Sequence, residues 1–265
     1  MENLTKINEH IHRLTMPYKD IFTTVYTVQT PNGAILFDAA SFDEDVDNYI
    51  VPLLKEVGIA PEELKYVFIS HNHKDHAGGL ARLMEVFPNV CIVSRNPKLQ
   101  EDYASYRILA PEDGDSLMNL FRVVSIPGHT PDAMALLDNR TMTMISGDCL
   151  QLYGIFGSQD WGSNIGLPAE HLEAVEKVRT LGIEAIYTAH DYHPYGFKAC
   201  GKEAVGKMLD ACVTPLRNLQ NIVLQNPQMG DEELREIYNT SDKVPPISVR
   251  VVAAMRKAIN EGKIR

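Results

Sequence analysis

Apolar and polar positions alternate along the chain with two different periods, and these predict its elements. From Phe22 to Thr30 branched and polar side chains alternate, Pro31-Asn32-Gly33 supplies turn chemistry and Ala34 to Phe37 follows, which predicts a β-hairpin over residues 22–38. Val46, Tyr49, Ile50, Leu53, Leu54 and Val57 recur at helical spacing until Gly58 stops the pattern, so residues 43–57 read as an amphipathic helix. Tyr66-Val67-Phe68-Ile69 is short, branched and aromatic, the mark of a buried strand, and it opens into Ser70 to Gly79, read as an irregular loop. Leu80, Leu83, Met84 and Phe87 mark another helix, ended by Pro88-Asn89, and residues 90–93 a strand. A strand pair in outline covers residues 117–126, and a hairpin joins Ala133–Leu137 to Thr141–Ile145 through Asp138-Asn139-Arg140. Residues 153–166 hold four glycines and Trp161, the single tryptophan, and read as a long loop bordering a pocket. A helix at 170–181 and a short buried strand at 183–189 complete the β/α alternation.

Beyond Lys198 the texture changes. Residues 199–224, 231–238 and 248–260 read as helices and none as a strand. The expected organisation is a mixed domain over 1–198 with a helical C-terminal extension over 199–265. That extension has three roles open to it: covering the core, bordering the pocket, or building a homodimer through its helices.

Composition narrows the partners. A chain of 265 residues with 45% hydrophobic content buries a substantial core. Its net charge of −10, with no clustered Lys or Arg, speaks against a nucleic-acid partner. No stretch approaches the ~18 to 20 apolar residues of a membrane span, so no membrane role is expected. Cys91, Cys149, Cys200 and Cys212 lack paired spacing and the N-terminus lacks a secretion pattern, so reduced thiols and a cytoplasmic location are expected.

The chemistry gathers at strand ends. Residues 70, 126, 146 and 189 each close a predicted strand and are followed within about three positions by His or Asp, as when a site lies along one edge of packed sheets. His10, His12 and His171 lie elsewhere and read as surface or core residues. Imidazole nitrogen and carboxylate oxygen suit borderline cations: His71, His73 and His129 fit one ion, and Asp75, His76 and His190 a second, with Asp148 bridging. Asp38, at the end of a predicted strand, is either a cap before Ala39-Ala40-Ser41 or a carboxylate that orients a ligand. Cys149 beside Asp148 has no dedicated base and reads as a small buried hydrophobe rather than a nucleophile.

His71-x-His73-x-Asp75-His76, followed by His129, Asp148 and His190, resembles the ligand set of the metallo-β-lactamase-fold superfamily over roughly residues 10–198. The resemblance implies an αββα sandwich with a dinuclear site at one edge, holding two divalent ions, zinc foremost with iron or manganese as alternatives. Within that superfamily, Pro127-Gly128-His129-Thr130-Pro131 and His190-Asp191-Tyr192 resemble segments of glyoxalase II. Asp132 stands where that enzyme has Gly, and its basic C-terminal thioester-binding pattern is not recognisable after Lys198. Lactonases of the fold share the ligands, and Tyr153 loosely matches the tyrosine that assists some of them.

The expected activity is water activation against a small-molecule ester, thioester or lactone, with Asp75 both ligand and proton acceptor. Tyr153, Trp161, Tyr192 and His193 are candidates for the pocket wall. A second reading is a non-haem iron oxidoreductase of the same fold, either diiron or persulfide dioxygenase-like. Diiron members usually carry Glu where His73 stands and append a flavin domain. Persulfide dioxygenases use one iron, where Asp75, His76 and His190 complete a second site here. A purely structural metal module is the third reading, and it gives the whole ligand set no chemistry to do.

Overall fold

The structure, a computed structural model, describes residues 3–240 and 245–264. The chain divides into two compact units, residues 1–119 and 120–265. In the first, β1 (Leu4–Lys6), β2 (Ile11–Tyr18), β3 (Ile21–Thr30), β4 (Gly33–Phe37), β5 (Leu64–Phe68), β6 (Cys91–Val93) and β7 (Ile108–Leu109) form one sheet in chain order. Pairing is antiparallel from β1 to β4 and parallel from β4 to β7. The hairpin predicted over residues 22–38 is β3 and β4, with Thr30 opposite Gly33. β1 and β2 were not legible, because Arg13 is buried beside Leu14 and Pro17 interrupts the run, which breaks the alternation.

The amphipathic helix over 43–57 is present, with a widened turn inside it. Helix α1 (Asp43–Asp45) passes through a π-helical turn (Val46–Ile50) into α2 (Val51–Glu56). Pro52 offers no N–H to the carbonyl four residues back, and the Val51 N–H reaches Val46 O instead. Val46, Ile50, Leu53 and Leu54 are buried in one cluster with Leu36, Val67, Leu80 and Leu83. Each such burial stabilises the fold by roughly 1.5–3 kcal/mol.

The segment 70–79 is not wholly a loop. After Ser70 to His73 it winds into the short helix α3 (Lys74–Ala77), and Gly78-Gly79 lead into α4 (Leu80–Val86). Residues 38–41 wrap this segment through Ala39 N–H to His76 O (2.7 Å) and Gly78 N–H to Ala40 O (3.0 Å). A Cβ on Gly78 would run into the carbonyl oxygens of Ser41 and Lys74, which are backbone atoms and cannot swing aside. Gly78→Ala is therefore expected to cost about 2 kcal/mol or more. Urea unfolding of the metal-free protein measures this, and a loss under about 0.5 kcal/mol would show that the wrap is loose. One further helix, α5 (Pro97–Asp102), precedes β7, and a two-residue strand, β8 (Ser116–Leu117), follows it.

In the second unit β9 (Phe121–Ser125), β10 (Met134–Asp138), β11 (Thr143–Gly147), β12 (Gly154–Ile155) and β13 (Ala185–His193) lie in the order β12-β13-β11-β10-β9, and β14 (Gly196–Cys200) also pairs with β13. Only β11 and β13 run parallel among these pairs. Two expectations need correction. The strand expected to end at 189 continues to His193, because β12 pairs with its far end, Ile155 opposite Tyr192, so His190 lies within the strand. The texture after Lys198 is not helical at once, since Ala199 and Cys200 pair with Ile186 and Ala185 and helix α7 (Lys202–Gln225) begins only after Gly201. Helices α6 (Pro168–Thr180), α7, α8 (Asp231–Tyr238) and α9 (Val249–Asn260) share an apolar cluster that includes Leu172, Leu216, Leu219, Leu234, Val252 and Met255.

Candidate metal centre

The first unit carries four of the predicted donors, His71, His73, Asp75 and His76. β4 and β5 are parallel neighbours, so their carboxyl ends lie side by side and Asp38 N–H reaches Phe68 O at 2.8 Å. Asp38 is wholly buried, and its Oδ1 accepts from Ser70 N–H (2.7 Å) while its Oδ2 accepts from Ser70 Oγ (3.0 Å) and meets His76 Nδ1 at 2.7 Å. Burial pushes the Asp38 carboxyl above the usual carboxylate range, and His76 and Ser70 pull it back. Of the two roles open to Asp38, it takes that of orienting a neighbouring imidazole.

The His76 ring, held through Nδ1, turns its Nε2 to within 3.4 Å of Asp75 Oδ2. Asp75 is fixed from behind, its carbonyl accepting from Thr23 Oγ1 at 2.6 Å. His71 Nδ1 lies 3.1 Å from Ser70 Oγ and its Nε2 lies 2.9 Å from His73 Nδ1, with the two rings near perpendicular. Extended backbone at His73 followed by the first turn of α3 lets residues 71 to 76 bring these donors together.

The second unit carries the other three predicted donors, His129, Asp148 and His190. Asp148 follows β11, and its Oδ1 lies 3.3 Å from His190 Nε2 while its Oδ2 lies 3.8 Å from His129 Nε2. His129 Nδ1 lies 2.7 Å from the carbonyl of Asn164. The loop carrying His129 needs Gly128: it stands at φ +155°, and a Cβ there would lie 2.5 Å from the ring of His171. His171, expected to be an ordinary core residue, is wholly buried against this loop, and burial pushes its pKa down to about 4.

These contacts fix ring tautomers. A carbonyl only accepts, so His129 must donate from Nδ1, and a neutral ring then presents a lone pair at Nε2 toward Asp148. His76 likewise donates to Asp38 and presents Nε2 toward Asp75. A lone pair facing a carboxylate is repulsive unless a cation answers both. This is the donor pattern of ligating histidines, whose far nitrogen is held by a carbonyl or carboxylate, so the residues present fit a divalent ion.

The remaining candidates are placed differently. Tyr192 is 1% exposed, and its hydroxyl donates to Asp148 Oδ1 at 2.9 Å. His193 is half-buried and lies against Phe156, with ring centroids 3.5 Å apart and the rings tilted by 32°. Tyr153 and Trp161 are half-buried in the loop that follows Asp148. Of the four cysteines, Cys91, Cys149 and Cys212 are buried and Cys200 is exposed. Among the described residues no helix is long and apolar enough to cross a membrane. Sequence reasoning missed Ser70 and Thr23, whose bonds to Asp38 and to the Asp75 carbonyl depend on partners 32 and 52 positions away.

The model of the metallo-beta-lactamase superfamily matches residues 18–190. The chain belongs to that superfamily. A Bacillus subtilis protein, YobT, carried as uncharacterised, is 28% identical over 49% of this chain and 62% of its own length. A hydroxyacylglutathione hydrolase of Francisella tularensis subsp. holarctica is 30% identical over 49% of this chain and 50% of its own. The chain thus spans about half to three-fifths of the length of these curated relatives. A metallo-beta-lactamase family protein of Thermus thermophilus superposes with TM-score 0.66 over 97% of this chain and 95% of its own, at 16% identity. A metallo-beta-lactamase of Erythrobacter litoralis gives 0.60 over 79% of this chain and 95% of its own, at 15%. The fold is the α/β sandwich of the superfamily, with helices at its C-terminal end.

Proposed function

We propose that the protein is a metal-dependent hydrolase that binds two divalent ions, zinc foremost, and cleaves a small ester, thioester or lactone. The observation that carries this reading is the pair of rings, His76 and His129, each tied at Nδ1 by an oxygen and turned with Nε2 toward a carboxylate. The ligands of this reading are His71, His73, Asp75 and His76 of the first unit and His129, Asp148 and His190 of the second. When bound, such ions supply Lewis acidity, lowering the pKa of water and polarising a carbonyl oxygen.

The chain's own groups do the rest. Asp75 is fixed by Thr23 and accepts the proton of the attacking water, later returning it to the leaving group. Asp38 and Asn164 keep two imidazoles in the ligating tautomer. The similarity to hydroxyacylglutathione hydrolases makes a thioester the first substrate to try, and a lactone the second.

A panel of thioesters, including a hydroxyacylglutathione, together with lactones, β-lactams and phosphodiesters, tests this on protein of measured metal content. The expected result is about two metal equivalents per chain and turnover abolished by chelation and restored by zinc. A single iron with oxygen uptake on a persulfide would replace this reading with the oxidoreductase one.

A further inference from the structure

We infer that Gln151 is a positioning residue that locks Asp148 and His129 into their ligating orientations through one side-chain amide, an inference that rests on the metal-binding reading above. Gln151 is buried, 2% exposed, three residues past Asp148. Its Nε2 donates to the carbonyl of Asp148 at 2.9 Å and lies 3.2 Å from Tyr192 Oη, and its Oε1 accepts from Asn164 N–H at 3.0 Å. The two backbone partners settle which way the amide faces, because a carbonyl only accepts and a peptide N–H only donates.

Direction then propagates both ways. Nε2 can only donate, so the Tyr192 oxygen accepts from it and sends its own proton to Asp148 Oδ1, 2.9 Å away. On the other side Asn164, held by its N–H on Gln151, presents its carbonyl to His129 Nδ1 at 2.7 Å. One amide therefore fixes the lone pairs that Asp148 keeps for a cation and the tautomer in which His129 meets it. No apolar side chain reproduces these bonds, although Met would fill the same space.

The test uses Gln151→Met and Tyr192→Phe in the full chain, with zinc affinity measured by chelator competition. Histidine tautomers are read from nitrogen-15 spectra of the metal-free protein, His129 being assigned from its loss in His129→Asn. Gln151→Met is expected to weaken both zinc sites by roughly 10- to 100-fold and to move His129 away from the Nδ1–H form. Tyr192→Phe, which breaks only the arm to Asp148, is expected to weaken zinc binding less and to leave the His129 tautomer as in the wild type.

Wild-type zinc affinity and an unchanged His129 tautomer in Gln151→Met would overturn the inference while leaving the hydrolase reading intact. A wild-type protein that binds no divalent ion would overturn that reading, and the tautomer alone then decides whether Gln151 sets His129. Should Gln151→Met not fold, Gln151→Glu keeps the acceptor for Asn164 and removes both donors, so it is expected to weaken zinc binding at least as much as Tyr192→Phe and, like it, to leave the His129 tautomer as in the wild type. A displaced His129 tautomer in Gln151→Glu would overturn the inference.

Discussion

Asp148→Ala is expected to empty the metal centre while the protein stays folded. Asp148 faces His129 Nε2 with one oxygen and His190 Nε2 with the other, so its removal takes a shared anionic donor from between two imidazoles. Outer partners of ligands already cost 10- to 100-fold in affinity or activity, so loss of the ligand is expected to cost at least about 100-fold in both.

The fold has less at stake. Asp148 is 6% exposed, and the hydrogen bond it accepts from Tyr192 is worth about 1.5–3 kcal/mol as a bond to a charged group. Asp148→Asn sharpens the test, because it keeps an oxygen for Tyr192 while it removes the charge and puts an NH2 in place of the oxygen that faces His129. Metal content by elemental analysis, with urea unfolding of the metal-free proteins, separates the two effects. Two tightly held ions in Asp148→Ala would refute the role given to this carboxylate.

What was legible in the sequence follows the range of the interactions. The helical spacing of Val46, Ile50, Leu53 and Leu54 is local, and all four are buried as that spacing requires. His71, His73, Asp75 and His76 sit within six positions, so their type and spacing mark a candidate site without reference to the fold. Asp38 was ambiguous because its role depends on β4 and β5 being parallel neighbours, a property of the sheet and not of residues 36–40. Tyr192 was expected at a pocket wall, yet its place on β13 buries it with its hydroxyl on Asp148, and β13 itself ran four residues past its expected end. Gln151 gave no signal, since two of its partners are main-chain groups, which every residue carries.

Asp38 carries the second large prediction, and two substitutions separate its two tasks. Asp38→Ala leaves the Ser70 N–H and the His76 Nδ1–H buried without their acceptor, each at about 1–3 kcal/mol. Asp38 also stands at φ +65°, a conformation that Asp tolerates better than Ala. Relief of a carboxyl that burial has already pushed up in pKa offsets part of this, so the net loss is expected near 2–4 kcal/mol.

Asp38→Asn behaves differently. Its amide oxygen still accepts from Ser70 N–H, while the amide NH2 faces His76 Nδ1 and obliges that nitrogen to accept. The proton then sits on Nε2, the nitrogen turned toward Asp75, and the ring can no longer ligate from that side. Stability is expected to stay within about 1.5 kcal/mol of the wild type, while affinity for the ion held by His76 falls by 10- to 100-fold. Urea unfolding and zinc competition on the same preparations measure both. Zinc affinity unchanged in Asp38→Asn would show that Asp38 holds the fold and does not set the tautomer of His76.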